Sequence, residues 1–264
     1  MNILDEIITH KMAEVKVRKE LYPIKLLEQS VYFDAEPVSL KKYLKREDKV
    51  GVIAEIKRKS PSKGSFNSHF SVEELSIGYM QAGASAISVL TDEKYFGGSN
   101  EDLMTARKFN FCPILRKDFI VDEYQIYEAK SIGADAILLI ARVLSPQEIN
   151  SFTATAHKLK MEVALEVHNE QELDKALSDQ LDIVGVNNRD LDTFEVSYEH
   201  SLALAPKIPD QFVKVSESGI DEANIITLLK QAGFKGFLVG EAFMKTSRPQ
   251  RACGKLINAV REAC

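Results

Sequence analysis

Eight short runs of apolar, largely β-branched residues punctuate the chain, at positions 50–56, 86–90, 113–115, 136–140, 163–167, 183–186, 212–215 and 236–239. Each has the length of a strand and is apolar at successive positions, so both of its faces are suited to burial. Polar, helix-like stretches separate most of them. Ser71 with Glu74, and Ser145 with Glu148, have capping-box spacing, the second with Pro146 in its first turn. Two more helices are expected to open at 169–173 and 221–224. Gly83, Gly133 and Gly233 each come after a helix-like stretch, where a C-terminal glycine belongs.

Alternating strands and helices imply a parallel sheet. Eight units in roughly 215 residues predict the α/β class and a (β/α)8 TIM barrel, whose usual size is about 250 residues. An open doubly wound sheet is the competing architecture, but eight units are many for it. No GxGxxG comes after the first run, and no Walker A motif is present. Before the first strand, Ile3, Leu4, Ile7, Ile8 and Met12 recur at helical spacing, and Pro23 and Pro37 interrupt the stretch between that helix and the first strand. The expectation is a single barrel domain over 1–264, of which 1–48 form an N-terminal helical extension. A plain capping helix and a substrate-contacting one fit that extension equally.

Composition changes this picture only in what it excludes. The formal net charge is -5, with 28% charged residues, which argues against nucleic acid as the main partner. Cys112, Cys253 and Cys264 are scattered, and His10, His69, His157, His168 and His200 form no HExxH pair. Neither a metal site nor a disulfide framework is expected, and a reducing, cytoplasmic location is the simplest expectation. Acidic residues at the N-terminus stand where a signal peptide would need apolar ones, and no apolar run has membrane-spanning length.

Chemistry enters at the strand ends, because barrels place their sites at the C-terminal mouth. Glu55 and Lys57 close the first strand, two apart and therefore on one face. Lys117 closes the third, within Arg116-Lys117-Asp118. Glu166 lies inside the apolar fifth run, where an unpaired carboxylate would be costly. Asn187 and Arg189 close the sixth strand, and Glu217, Ser218 and Gly219 the seventh. Gly240 and Glu241 close the eighth and lead into a helix-like segment. A cluster of this kind suits acid–base work, and the glycine turns after the last two strands suit phosphate. The loop 58–70 is long and rich in Lys, Ser and Gly, as lids are, and its Lys59 and Lys63 are placed to attract an anion.

Five segments then carry a specific likeness. They are Ala54-Glu55-Ile56-Lys57-Arg58-Lys59-Ser60-Pro61-Ser62, the run from Ser88 to Ser99, Arg116-Lys117-Asp118-Phe119-Ile120, Gly185-Val186-Asn187-Asn188-Arg189-Asp190-Leu191 and Ser216-Glu217-Ser218-Gly219-Ile220. Over nearly its whole length the chain resembles indole-3-glycerol-phosphate synthase of tryptophan biosynthesis. The resemblance implies a carboxy-lyase that closes the ring of 1-(2-carboxyphenylamino)-1-deoxy-D-ribulose 5-phosphate, giving indole-3-glycerol phosphate, carbon dioxide and water. It implies no metal or organic cofactor, and a monomer. Association with other tryptophan-pathway enzymes stays open.

By the same resemblance Lys117 is the acid at the substrate ketone. Lys57 holds the carboxylate or delivers a later proton. Glu166 is a base or proton shuttle, and Glu55 and Glu217 orient the lysines and hydroxyls. Asn187 fixes the intermediate, and Arg189 supports its anionic end. Ser60, Ser218, Gly219, Gly240 and Glu241 hold phosphate. Glu241 stands where some members carry serine. Pro61, Phe96, Phe119, Leu138 and Phe194 form the wall around the aromatic ring, although plain core packing accounts for each of them as well. Another phosphosugar barrel, a Schiff-base aldolase and an inactive binding barrel are the competing readings of the strand-end set.

Overall fold

Strands with two apolar faces stay dry when both faces are covered, in a barrel by helices outside and by a closed, packed interior. The computed structural model, which describes residues 2–61, 64–66, 70–190 and 193–263, meets that demand with a closed parallel barrel. Its strands are β1 (Val52–Ile56), β2 (Ala86–Leu90), β3 (Ile114–Lys117), β4 (Ala136–Ile140), β5 (Glu162–Val167), β6 (Ile183–Asn187), β7 (Val213–Glu217) and β8 (Gly236–Val239). They succeed one another around the ring in chain order, and β1 closes it by pairing with β2 and β8.

All eight expected runs are therefore strands, but three continue past their apolar stretch. Leu90 pairs with Lys117, and Asn187 pairs with Glu217, so the ladder carries on through the polar residues. An apolar pattern stops at the first charge, whereas the backbone stops only where hydrogen bonding stops. At the other end, β1 starts two residues later than the pattern predicts. Gly51 has φ +95, and a Cβ there would lie 2.1 Å from the Lys235 carbonyl oxygen.

The helix signals hold. Ser71, Ser145 and Asn169 accept from the backbone N–H groups of Glu74, Glu148 and Glu172, and the Ser145–Glu148 pair forms the full capping box. The helix expected from 221 starts as Ala223–Gln231, with Glu222 at its N-cap. Within 58–70, Lys59–Ser60 and Gly64–Ser65 pair as a small two-stranded antiparallel sheet. Lys63 lies outside the described residues.

Two apolar cores result. One fills the space between strands and helices. The other fills the barrel interior with Ile53, Leu115, Leu138, Ile183, Val213 and Leu238, and Leu40 and Leu44 of helix Leu40–Leu44 belong to it. The N-terminal extension thus supplies part of the barrel's own filling.

It also supplies α1 (Ile3–Leu21), opened by an Asn2–Asp5 capping box. Lys11 on α1 is 1% exposed and meets Asp92 at 3.0 Å, Asp118 at 3.1 Å and Glu14 at 3.1 Å. Burial alone would lower the ammonium pKa, but the carboxylates of Asp118 and Asp92 reverse the shift and raise it. Arg116, pointing away from the barrel interior, bonds Asp118 at 3.1 Å and Glu128 at 2.6 Å, and Arg18 of α1 meets Glu128 at 2.5 Å. A buried chain of charges therefore ties α1 to β3.

Candidate active site

The two-residue period of a strand decides which side chains reach the mouth. Ile53 belongs to the interior core, so Glu55 succeeds it inward on β1, and Lys57 comes next. Leu115 leads to Lys117, Ala164 to Glu166, Ile183 to Asn187, and Val215 to Glu217. Five strands thus raise a polar ring above an apolar floor. Asp118 and Arg116 have the opposite parity, which is why they serve the α1 network and not this ring.

Lys117 is the hub. Its Nζ lies 2.6 Å from Glu166 Oε2 and 2.6 Å from Glu217 Oε2. Asn187 Nδ2 donates to Glu166 Oε1 at 3.1 Å. Lys57 Nζ meets Glu55 Oε1 at 2.6 Å and sits 5.7 Å from the centre of the Phe66 ring. Glu55, Glu166 and Glu217 are all buried.

Burial works against ionisation of both carboxyls beside Lys117, yet they end far apart. At Glu166 the attraction of Lys117, then of His168, overcomes burial and holds the carboxyl well below its ordinary value. At Glu217 burial and repulsion from Glu166 prevail over Lys117, and the carboxyl is pushed up to about 7. Burial would lower the Lys117 ammonium pKa, but Glu166, Glu217 and Glu55 raise it above the ordinary lysine value. One ionised carboxylate, one carboxyl poised near neutrality and a firmly protonated lysine form a proton-handling set.

A cavity of about 410 Å³ opens over this ring. The residues expected at the strand ends and around them line it: Glu55, Lys57, Lys117, Glu166, Asn187 and Glu217, with Ser60, Pro61, Phe96, Phe119, Leu138, Arg189, Ser218, Gly219, Gly240 and Glu241. Lys59, expected to attract an anion, does not line it; its Nζ donates to the Lys94 carbonyl. Phe194 joins them at the rim, 38% exposed. The Phe96 and Phe119 rings stand 5.9 Å apart and make a tilted apolar wall. Ser218 (φ 72) and Gly219 (φ 70) are consecutive left-handed residues that turn the chain sharply after β7. Gly240 is crowded by Glu55: a Cβ there would lie 2.1 Å from Oε1. Arg189 does not reach into open space; it donates to Glu241 Oε2 at 3.2 Å and to the Phe194 carbonyl at 3.2 Å.

Arg58 reaches Asp102 and the Gly97 carbonyl, which ties the loop after β1 to the loop after β2. Ile3, Leu4 and Ile7 of α1 also line the cavity, so the extension forms part of its wall. Lys245 on the rim and His168 behind Glu166 carry no sequence signal that separates them from solvated or structural residues. Among the described residues no group of three or more His, Cys, Asp or Glu is arranged to hold a metal, and no helix is long and apolar enough to cross a membrane.

Comparison with known proteins places this geometry. A family model described as indole-3-glycerol phosphate synthase matches residues 4–256. A Bacteroides thetaiotaomicron protein of that name is 45% identical over 259 residues, covering 98% of this chain and 99% of that protein. A Chromobacterium violaceum protein of that name is 48% identical over 211 residues, 80% of each. Among solved structures, a mutant tryptophan synthase alpha-subunit from Pyrococcus furiosus superposes with a TM-score of 0.62 at 15% identity, over 81% of this chain and 99% of that one. That last likeness concerns the barrel alone.

Proposed function

The chain belongs to the indole-3-glycerol phosphate synthase family, and from that premise we propose how its own residues carry the reaction. The reaction converts 1-(2-carboxyphenylamino)-1-deoxy-D-ribulose 5-phosphate to indole-3-glycerol phosphate in tryptophan biosynthesis. The ring carbon that bears the carboxylate attacks the ribulose ketone. Lys117 gives a proton to the carbonyl oxygen as negative charge develops there. Carbon dioxide then leaves, which restores the aromatic ring, and loss of water completes the pyrrole. Glu166, ionised beside Lys117, accepts the proton released in that elimination.

Glu217 refills the hub. Its carboxyl holds a proton near neutrality and lies 2.6 Å from Lys117, so it returns one after Lys117 has donated. Lys57, steadied by Glu55, pairs with the substrate carboxylate and brings the reacting carbons together. Asn187 holds Glu166 and the intermediate. The aromatic ring lies against Pro61, Phe96, Phe119, Leu138 and Phe194. Phosphate binds at the Ser218–Gly219 turn, with Ser60 and the backbone of Gly240 and Glu241. The same reading carries a monomeric, cytoplasmic enzyme built as one barrel domain with residues 1–48 as an extension, which sedimentation of the purified chain and fractionation of its source cells would check.

The observation that supports these roles best is one lysine shared at 2.6 Å by two buried carboxylates at a barrel mouth. Lys117→Ala is expected to lower kcat by about 10²–10⁴-fold, the usual contribution of a positioned acid. Formation of indole-3-glycerol phosphate is monitored by fluorescence. Retained turnover in a folded variant would remove Lys117 as the acid, and borohydride trapping of Lys117 with substrate would point instead to a Schiff base.

A further inference from the structure

His168 comes two residues after Glu166, just past β5, with a side chain only 8% exposed. It does not line the cavity. Its Nδ1 lies 3.0 Å from Glu172 Oε2, and its backbone N–H donates to the same oxygen at 2.8 Å. Glu172 is clamped in turn, because Asn169 Nδ2 donates to its other oxygen at 3.3 Å while Asn169 Oδ1 caps its backbone N–H at 2.9 Å. The imidazole orientation is thus fixed from behind. Its Nε2 faces Glu166 Oε1 at 3.4 Å and has no hydrogen-bond partner among the described residues.

This arrangement breaks a symmetry. Glu166 and Glu217 stand at equal distance from Lys117, and a lysine alone does not distinguish them. Among the described residues only Glu166 has an imidazole at its back. We propose that His168, held by Glu172, is a positioning residue that assigns the base role to Glu166 by giving it a second cation. While Lys117 is neutral, just after it donates its proton, His168 keeps Glu166 ionised and leaves Glu217 as the carboxyl that carries the proton. Burial opposes the charge on His168, but its hydrogen bond to Glu172 and the charge of Glu166 raise its pKa overall. The other groups facing this corner are Lys117 from β3, Asn187 from β6, Glu217 from β7, and Glu55 with Lys57 from β1. None of them lies behind Glu166. The inference rests on Glu166 being the base.

The sign is fixed by charge. Without the imidazolium the ionised form of Glu166 is less favoured, its pKa rises, and the acidic limb of the kcat–pH profile moves to higher pH. His168→Asn is expected to move that limb upward by about one unit, which is about tenfold in kcat on its acidic side. At pH 9 kcat is expected to stay within about twofold, as is KM throughout. Glu172→Gln keeps the ring and is expected to move the limb the same way, which carries the test if His168→Asn melts early. A uniform fall in kcat with an unmoved limb in both variants would reduce His168 to packing and overturn the inference. Glu166→Gln separates the two levels. If it keeps turnover, the base assignment itself fails; if it is inactive while the limb of the His168 and Glu172 variants stays put, only this inference fails.

Discussion

Glu217→Gln isolates what it costs the fold to keep a carboxyl poised for chemistry. Glutamine has the shape of a protonated glutamate and cannot ionise, so the stability difference between variant and parent reads the titration of Glu217 directly. The carboxyl rises from an ordinary 4.5 to about 7 in the folded protein. Between those values the folded chain holds a proton that the unfolded chain has released, so parent stability falls as pH rises through that window. The shift corresponds to roughly 3 kcal/mol. Near pH 4.5 and below, variant and parent should be equally stable. The advantage of the variant should grow to pH 7 and stay level beyond it. Urea unfolding at pH 5, 7 and 9 measures it, with Tm expected to rise roughly 5–10 °C at pH 8. Turnover should fall at the same time, since the proton reservoir is gone. A difference that does not change with pH, or a variant less stable than its parent at pH 8, would refute the argument.

Three further outcomes are expected. Gly240→Ala should push Glu55 off its 2.6 Å contact with Lys57, because its Cβ would meet the carboxylate; a loss of about 1–3 kcal/mol in thermal unfolding and a raised KM are the readouts. Lys11→Ala strands two buried aspartates and should cost about 3–5 kcal/mol, with hydrogen exchange rising across residues 3–21 and KM rising as the Ile3–Leu4–Ile7 wall loosens. Glu241→Ser removes a carboxylate from the anion corner and frees Arg189 from it; KM should drop a few-fold with kcat unchanged, and a rise in KM would reverse the assignment of that corner.

The eight strands were legible because a strand buried on both faces leaves an uninterrupted apolar run, and no other element of that length does so next to helix caps. Their ends were legible only in part. Lys117, Asn187 and Glu217 were legible as the groups that close their strands, but not as members of the ladder: the apolar pattern stops short of them, yet each pairs with a neighbouring strand. Which groups share the mouth was legible from parity and family motif together. What they do to one another was not: the split between Glu166 and Glu217 depends on the ring of His168, which an isolated histidine in the sequence does not announce. Lys11 was invisible for a similar reason. A lysine on a helix next to the barrel looks solvated until Asp92 and Asp118, eighty and more positions away, are folded against it.

The continuation of β3, β6 and β7 through their polar residues bears on how such an enzyme changes over evolutionary time. Lys117, Asn187 and Glu217 are fixed by the sheet's own hydrogen bonds, and Glu166 lies within β5. Pro61, Ser218, Gly219 and Arg189, by contrast, stand on connections beyond the strand ends. Most of the proposed reacting groups and most of the proposed recognition groups therefore stand on different parts of the backbone, with Lys57 just past β1 and Leu138 inside β4 as the exceptions. A transplanted or shuffled set of mouth connections would alter which phosphorylated ring compound is accepted while the proton-handling core stays in register, so altered substrate range is within reach of connection swaps alone.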